Sequence, residues 1–587
     1  MVRVLLSESK GHRFESFQIC IIMYDSQQTE VINIRSGPLM ISAGAGTGKT
    51  TVIIGHLAKM LEDNLITADR VLLVTFTVKA AENMKNRIYE KIGQILNWVG
   101  TFHSISLKVL KQHGHYINLS PTFQIINQLQ QRKLLDKIST NINPIELLEM
   151  IELYKNTNFN YKIPKHAFEA YKMYEVLKGD NLDYTDILIY MNKLLNIEEV
   201  NSIYKNNFDY IYIDEYQDTN LLQKSLIFKL LGISQNLICV GDEDQTIYEW
   251  RGAEVYLARD FKKEFPTGKI LKLEYNYRST KNILTVANAI ISRNLNRVPK
   301  TLKATSATCG ENVYIIQTED ELHEAILLTE MMLKRSGNSA ILCRTVAQTR
   351  VITDYLSNQK IEYFGPNFYN LPEIQGCIAF LELIINPEDF NAFSKIANIP
   401  KRNIGEKKLE LIRESLSVSL AAAALKICPS LENIFSTLII TKNQDLQTRL
   451  KNILTITGYL GFYPEKKQEN IQNFLTKLAK YSDPMQILKE IRNVSINKNS
   501  KLSILTIHGA KGLEFDNVAL AGWNEKILPH VNAIDNQEIA QERRLAYVAI
   551  TRAKNFLAIS VLKKRGDSKL TQSRFLSDLP HSCCTWI

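Results

Sequence analysis

The sequence predicts an α/β protein with two parallel-sheet domains, each carrying a mostly helical insertion. Three observations carry this reading. A glycine-rich stretch, "SAGAGTGKTT" (Ser42–Thr51), sits between a short apolar run and a helical pattern. Short β-rich runs occur in two groups along the chain. Each group is interrupted by a long Lys/Asn/Leu-rich stretch with helical spacing and no good strand, over residues of about 105–195 and 376–499. Strands that alternate with helices imply α/β layers.

The first group of strands follows from apolar runs bounded by polar residues. "PLMIS" precedes the glycine-rich stretch, and "RVLLVTFT" (Arg70–Thr77), "FDYIYIDE" (Phe208–Glu215) and "NLICVGDED" (Asn236–Asp244) read as strands buried on both faces. The second group is "NVYIIQT" (Asn312–Thr318), "SAILCR" (Ser339–Arg344), "LSILTIHG" (Leu502–Gly509), "NVALAGW" (Asn517–Trp523) and "FLAISVL" (Phe556–Leu562).

Length and composition set the frame. A chain of 587 residues exceeds a single core, and about three or four domains is the natural division. The residues are 45% hydrophobic and 22% charged, as in ordinary globular proteins. The net charge of +10 permits nucleic-acid binding without demonstrating it, since a solvated surface alone could carry it. The eight cysteines form no C-x-x-C pair, which argues against a zinc site or an iron–sulfur cluster. Cys239 and Cys343 lie in strand-like runs and read as buried reduced thiols, so a reducing, cytoplasmic compartment is expected. No run approaches the roughly 18 apolar residues that span a bilayer, and the patch "FQICIIM" (Phe17–Met23) is too short.

The chemistry begins at the glycine-rich stretch. A phosphate-holding loop turns backbone N–H groups inward, and Gly44, Gly46 and Gly48 permit the required conformations and close approach. Lys49 reaches the β- and γ-phosphates, and the Thr50 hydroxyl ligates Mg²⁺. Ala43 stands where the usual pattern has its first glycine. The nucleotide-holding residues are thus expected to be Ala43, Gly44, Ala45, Gly46, Thr47, Gly48, Lys49, Thr50 and Thr51. A phosphoryl-transfer site also needs a carboxylate for the metal and a group that positions water. "IYIDEYQDTN" offers Asp214 for Mg²⁺ and Glu215 as general base. In "VGDEDQTIYEWRGA" (Val240–Ala253), Gln245 is a neutral group able to sense a γ-phosphate. Tyr248 and Trp250, two apart and followed by Arg251, would place both rings on one face of a strand. A pair of core aromatics would have the same spacing.

Together these segments resemble the UvrD/Rep-type superfamily 1 helicases from about Asp25 to Pro580. "DSQQTEVI" resembles the Q motif, "AGAGTGKTT" motif I and "TFTVKAAENMKNRI" (Thr75–Ile88) motif Ia, with "GTFHSISLKVL" (Gly100–Leu110) next. "LDYTDILI" (Leu182–Ile189) resembles the segment near the end of the first insertion. "IDEYQDTN" and "GDEDQTIYEWRGA" match motifs II and III, and "LEYNYRST" (Leu273–Thr280) matches motif IV. "TIHGAKGLEFDNV" (Thr506–Val518) and "QERRLAYVAITRAK" (Gln541–Lys554) match motifs V and VI.

The resemblance implies two RecA-like domains in the 1A/1B/2A/2B arrangement. Residues 1–105 and 196–275 would form the ATP-binding domain 1A, and 106–195 the insertion 1B. Residues 276–375 and 500–587 would form 2A, and 376–499 the insertion 2B. It implies ATP and Mg²⁺ as cofactors, single-stranded and tailed duplex DNA as partners, no membrane, and 3′→5′ movement driven by ATP hydrolysis. By position, Gln28 would read adenine and Tyr277 stack on it. Glu514 would contact the ribose, and Arg278 and Arg552 would reach the γ-phosphate from the second α/β domain. Phe76, Tyr248 and Trp250 would line the single-strand path with Arg251 beside them, and Thr75, Thr101 and His103 would touch its backbone. Read on its own, a single histidine such as His103 is more often a structural hydrogen bonder.

The chain departs from the family pattern at Val78 in motif Ia and Gly509 in motif V. "IPKRNIGEKKL" (Ile399–Leu409) resembles the duplex-contacting turn, with Asn403 in place of its first glycine; Asn tolerates the left-handed conformation. The short second insertion and the altered duplex turn leave open a translocase that strips proteins from single strands and unwinds poorly. A non-catalytic subunit would lack Lys49, Glu215, Arg278 or Arg552, and all four are present. Met1–Ile22 precedes the first motif, and Met23 offers an alternative start.

Overall fold

A computed structural model describes residues 24–587 apart from 139, 206, 233–234, 250–251, 254–256, 296, 307, 367, 417–418 and 494–499. Met1–Met23, Trp250 and Arg251 therefore lie outside the described residues. The chain divides into two compact units, one of residues up to Glu243 with Tyr248–Glu274, the other of Asp244–Ile247 with Tyr275–Ile587.

The first unit is built on β1 (Leu39–Ala43), β2 (Val71–Thr75), β3 (Trp98–Thr101), β4 (Tyr210–Ile213), β5 (Leu237–Gly241) and β6 (Lys269–Leu273). All pairings are parallel, in the order β3-β2-β4-β5-β1-β6. The four interior strands, β2, β4, β5 and β1, are buried along their whole length, which is why their sequences are nearly continuous apolar runs. β6 reads Lys-Ile-Leu-Lys-Leu and is only partly covered, as suits an edge. α1 (Ser26–Ile32), α2 (Lys49–Glu62) and α3 (Val78–Ile92) help to pack the sheet, with Ile53, Leu57, Met84 and Ile88 against Leu39, Ile41, Leu73 and Tyr212.

Between β3 and β4 the described residues form helices. α4 (Phe102–His113) packs beside α8 (Tyr184–Leu194), while α5 (Gln128–Leu135), α6 (Pro144–Asn156) and α7 (Lys165–Lys178) enclose a separate core of Leu135, Leu147, Ile151, Ala167 and Tyr174. Beside that core, Glu175, Asp183 and Asp186 lie close enough to hold a cation. Two lysines fill this role. Lys155 Nζ sits 2.7 Å from Asp183, 2.5 Å from Asp186 and 3.2 Å from Glu175, and Lys178 Nζ sits 2.5 Å from Asp186 and 2.6 Å from Glu175. Burial opposes the charge of Lys155, but the three carboxylates outweigh it and raise its pKa. Asp183 also caps α8 through the Asp186 N–H, so the network fixes the start of that helix.

The second unit has its own parallel sheet: β9 (Val313–Thr318), β10 (Ser339–Cys343), β11 (Leu502–Thr506), β12 (Phe515–Leu520), β13 (Ala553–Leu562) and β16 (Cys584–Trp586), ordered β11-β10-β12-β13-β9-β16. Two short ladders accompany it: β7 (Tyr275–Asn276) with β8 (Lys303–Ala304), and the hairpin β14 (Lys564–Arg565) with β15 (Ser568–Lys569). From Pro372 to Asn493 the described residues are helical, around a core that includes Ile374, Phe380, Phe393, Leu450, Tyr459 and Phe474. Both sheets are parallel and helix-covered, as the apolar runs predict, and are those of RecA-like α/β domains, as the family resemblance implies. Cys239 and Cys343 are buried free thiols, as expected. Among the described residues no helix is long and apolar enough to cross a membrane.

Candidate functional site

In parallel α/β sheets ligands bind beyond the carboxyl ends of the strands, and the first unit gathers its chemistry there. β1 delivers the glycine-rich loop directly onto the N-terminus of α2, where unpaired N–H groups and the helix dipole favour phosphate. Gly46 (φ +67°) and Gly48 (φ +81°) adopt the left-handed conformations that the loop needs. Ala43 is the last residue of β1, in strand conformation, so a methyl group there meets no backbone conflict. The Gly44 N–H donates to Leu273 O at 3.2 Å, and Thr47 Oγ1 donates to Gly44 O at 2.9 Å, which closes the loop on itself. Lys49 Nζ lies over the loop carbonyls of Ala43 (3.4 Å) and Gly44 (3.3 Å). Ala45 is buried, and Thr50 is half-buried on the first turn of α2.

Gln28 is fixed at both ends. Its Oε1 accepts from the Asp25 N–H in a capping box, and its Nε2 donates to Thr47 O at 3.2 Å. The residue expected to read adenine is thus physically tied to the phosphate loop. Its neighbour Gln27 accepts from the Glu274 N–H at 2.8 Å. Arg87, which the sequence reading missed, donates to Thr51 Oγ1 at 3.1 Å.

β4 ends at the acid pair. Asp214 Oδ1 accepts from the Glu215 N–H at 3.0 Å. Burial and the adjacent Glu215 charge push the Asp214 pKa up to about 7, against the pull of Lys49. A buried carboxylate beside a second acid and facing a lysine is a suitable donor for a divalent cation, and the Thr50 hydroxyl completes a set that fits Mg²⁺. Glu215 holds a left-handed backbone (φ +53°), an uncommon conformation for a non-glycine residue and one that collects at functional sites. Gln217 links the strand ends: its Nε2 donates to Glu215 Oε2 and its Oε1 accepts from the Asp242 N–H at 2.9 Å. No spacing rule had marked Gln217, because its partner lies on another strand.

The residues expected along a nucleic-acid path follow β2 and β3. Phe76 stacks on Tyr248, with centroids 5.8 Å apart and planes 15° from parallel. Tyr248 is not on a strand, which corrects the expectation of two rings on one strand face. It follows the short helical turn Glu243–Gln245 in irregular backbone, and its ring stacks on Phe76. Thr75 is buried and donates to Thr77 O at 3.1 Å. Thr101 caps α4 through the Ser104 N–H at 3.2 Å. His103 packs edge-on to Tyr184, and desolvation lowers its pKa to about 4.

In the second unit the sheet register assembles the other expected residues. Phe515 pairs with Ala553 across β12 and β13, so the preceding Glu514 and Arg552 are brought side by side. Glu514 holds Arg278 (Nε, 2.8 Å) and Lys554 (Nζ, 2.9 Å), and these cations keep its carboxyl below the usual range despite partial burial. Arg278 Nη1 also donates to Thr551 O at 3.1 Å. Arg552, 2% exposed, donates to Val548 O (3.0 Å), Leu513 O (3.1 Å), Thr551 Oγ1 (3.1 Å) and Gln245 Oε1 (3.0 Å). Tyr277 is half exposed, and a planar ligand can reach its ring. In the helical segment Asn403 has φ +58°, so the left-handed turn survives the loss of glycine, and Arg402 is spent internally on the carbonyls of Ile399 (2.8 Å) and Thr457 (2.7 Å).

This arrangement agrees with comparisons to known proteins. Residues 24–266 match the UvrD/REP helicase N-terminal domain, and residues 271–454 and 425–564 match the UvrD-like helicase C-terminal domain. The ATP-dependent DNA helicase PcrA of Staphylococcus aureus is 30% identical over 634 residues, covering 95% of this chain and 86% of that protein. Its counterpart in Staphylococcus epidermidis is 32% identical over 631 residues, with the same coverage. The chain belongs to the UvrD/Rep helicase family.

Proposed function

We propose that this chain is an ATP-dependent DNA helicase and single-stranded DNA translocase that moves 3′→5′ in the cytoplasm, in the service of DNA repair, replication or recombination. The observation that carries the reading is the carboxyl edge of the first sheet. The phosphate loop, the Asp214–Glu215 pair and the Phe76–Tyr248 stack all follow strands of that sheet.

Lys49 and the loop N–H groups neutralise the β- and γ-phosphates of ATP. Thr50 and Asp214 hold Mg²⁺, which supplies charge neutralisation of the phosphate oxygens when bound. Glu215 takes the proton of the water that attacks the γ-phosphorus, the bond to the β-phosphate oxygen breaks, and ADP and phosphate remain. Arg278, Arg552 and Gln245 stabilise the spread charge of the transferred group. Gln28 and Tyr277 select the adenine, and Glu514 exchanges its cations for the ribose hydroxyls. Phe76 and Tyr248, with Trp250, Arg251, Thr75, Thr101 and His103, bind the single strand. Opening a base-pair step costs about 1.4 kcal/mol on average, and stacking a base on an aromatic ring recovers about 1–3 kcal/mol. The rings can therefore hold separated bases, while hydrolysis supplies direction.

The test is ATPase and unwinding on duplexes with a 3′ or a 5′ tail. Hydrolysis should be low alone and rise many-fold with single-stranded DNA, Lys49→Ala should abolish it, and unwinding should require the 3′ tail. Equal unwinding from both tails would refute the polarity, and DNA-independent hydrolysis would refute the coupling. Translocation that displaces a bound protein without opening the duplex would instead identify a strand-stripping motor.

A further inference from the structure

Asp244 immediately precedes Gln245, in the stretch Asp244–Ile247 that groups with Tyr275–Ile587. Its carboxylate is 2% exposed and is gripped by two cations that belong to no motif discussed above. Arg297 meets it as a fork, with Nε 2.8 Å from Oδ1 and Nη2 2.6 Å from Oδ2. Lys300 Nζ lies 2.9 Å from Oδ2 and is itself buried. Arg297 Nη2 also donates to the Lys300 carbonyl at 3.2 Å, so the two cations form one clamp. The next residues are held from the same unit: Lys511 Nζ donates to Gln245 O at 2.9 Å, and Arg544 Nε donates to Thr246 O at 2.9 Å.

Burying charges in this way is a poor route to stability, because desolvation offsets most of the attraction. What a bidentate pair supplies is a fixed orientation. The group oriented here is Gln245, whose Oε1 accepts from Arg552 at 3.0 Å. We propose that Arg297 and Lys300 are positioning residues for ATP hydrolysis: by clamping Asp244 they hold the Gln245 amide on the Arg552 guanidinium. A displacement of about 1 Å at such a pair is enough to lower turnover by about a hundredfold. The inference rests on the proposed roles of Gln245 and Arg552 at the γ-phosphate.

The experiment measures kcat and KM for ATP at saturating single-stranded DNA, with thermal midpoints, for Arg297→Met, Arg297→Lys, Gln245→Ala and the double variant Arg297→Met/Gln245→Ala. Arg297→Met should lower kcat about tenfold to a hundredfold at temperatures below its own midpoint, with KM near that of the parent. Arg297→Lys should restore part of the loss, and Arg297→Met should add little once Gln245 is gone. A normal kcat in Arg297→Met, or full additivity with Gln245→Ala, overturns the inference. Parental turnover in Gln245→Ala overturns the underlying reading of Gln245 instead. Should Arg297→Met melt early, Lys300→Gln, which leaves the arginine fork on Asp244, carries the same cycle with the same two outcomes.

Discussion

Replacing Gly48 by alanine should uncouple the adenine-reading glutamine from the phosphate loop. Gly48 sits at φ +81°, where an L side chain costs about 1–2 kcal/mol. A Cβ built there lies 2.9 Å from Gln28 Nε2. Gln28 has little room to yield, since its Oε1 is held by the Asp25 N–H and its Nε2 by Thr47 O. Relief of the clash therefore breaks the bond to Thr47, worth about 0.5–1.5 kcal/mol. Together the loss is about 1.5–3.5 kcal/mol, which corresponds to roughly tenfold to a few hundredfold in affinity. The loop can relax when empty, so most of this cost falls on nucleotide binding, which must restore the strained form. Titration calorimetry with a slowly hydrolysed ATP analogue measures it directly. On a Gln28→Ala background the clash disappears, and Gly48→Ala should then cost only its backbone share. Unchanged affinity in Gly48→Ala, or the same penalty with and without Gln28, would refute the argument.

Lys155→Met should destabilise the first unit by about 3–5 kcal/mol, because it leaves Asp183 and Asp186 buried with less cation; adding Asp183→Asn should recover part of the loss in urea unfolding, and a neutral Lys155→Met would show that the network carries no stability. Tyr248→Ala should weaken single-strand binding by about 1–3 kcal/mol while ATP affinity stays near the parent value; the reverse pattern in anisotropy and nucleotide titrations would assign the Phe76–Tyr248 stack to the core. His56, buried between Tyr212 Oη (2.9 Å) and Ile34 O (2.9 Å), has its pKa lowered by burial from 6.5 to about 4. The unfolded chain takes up that proton first, so this contribution is complete above pH 6.5 and is lost as the pH falls towards 4, by about 3 kcal/mol in all. Stability measured from pH 7 to pH 4.5 should fall less steeply in His56→Gln; parallel curves would mean that His56 is not neutral when folded.

Most of the strands that were legible in the sequence are buried on both faces, where burial forces a continuous apolar run, although β11 is a partly covered edge strand. Three strands of the two six-stranded sheets were missed, and each has a physical reason. β3 is the four-residue run Trp-Val-Gly-Thr, too short and too glycine-rich to declare itself. β6 carries two lysines because it lies at an edge. β16 is an edge strand of three residues whose partner, β9, is far away in sequence. Residues inside contiguous motifs were equally legible, since a phosphate loop or an acid pair is made by one stretch of backbone. Tyr248 shows the limit of periodicity: its spacing from Trp250 suggested a strand face, while Tyr248 lies in irregular backbone and stacks on Phe76, brought there by sheet order.

The same limit explains the supporting residues. Gln217 joins the ends of β4 and β5, Arg87 reaches from α3 to α2, and Arg297 and Lys300 reach back to Asp244. Each acts through a partner that the fold, not the local sequence, brings within 3.1 Å. Such residues obey a different constraint from the groups they serve. A phosphate-binding lysine must be a lysine wherever the loop occurs, whereas a clamp needs only charge, reach and a buried acceptor. Arg297 and Lys300 meet that need with two unlike side chains on one carboxylate. The energetic reason to keep such a clamp is orientation rather than stability, because a buried ion pair repays little more than its own desolvation. A group that must lie on a guanidinium during a brief transition state gains most from being held there beforehand, since no reorganisation is then required as the charge develops. The cations around Asp244–Ile247 are placed where that requirement is strictest, directly beside Gln245.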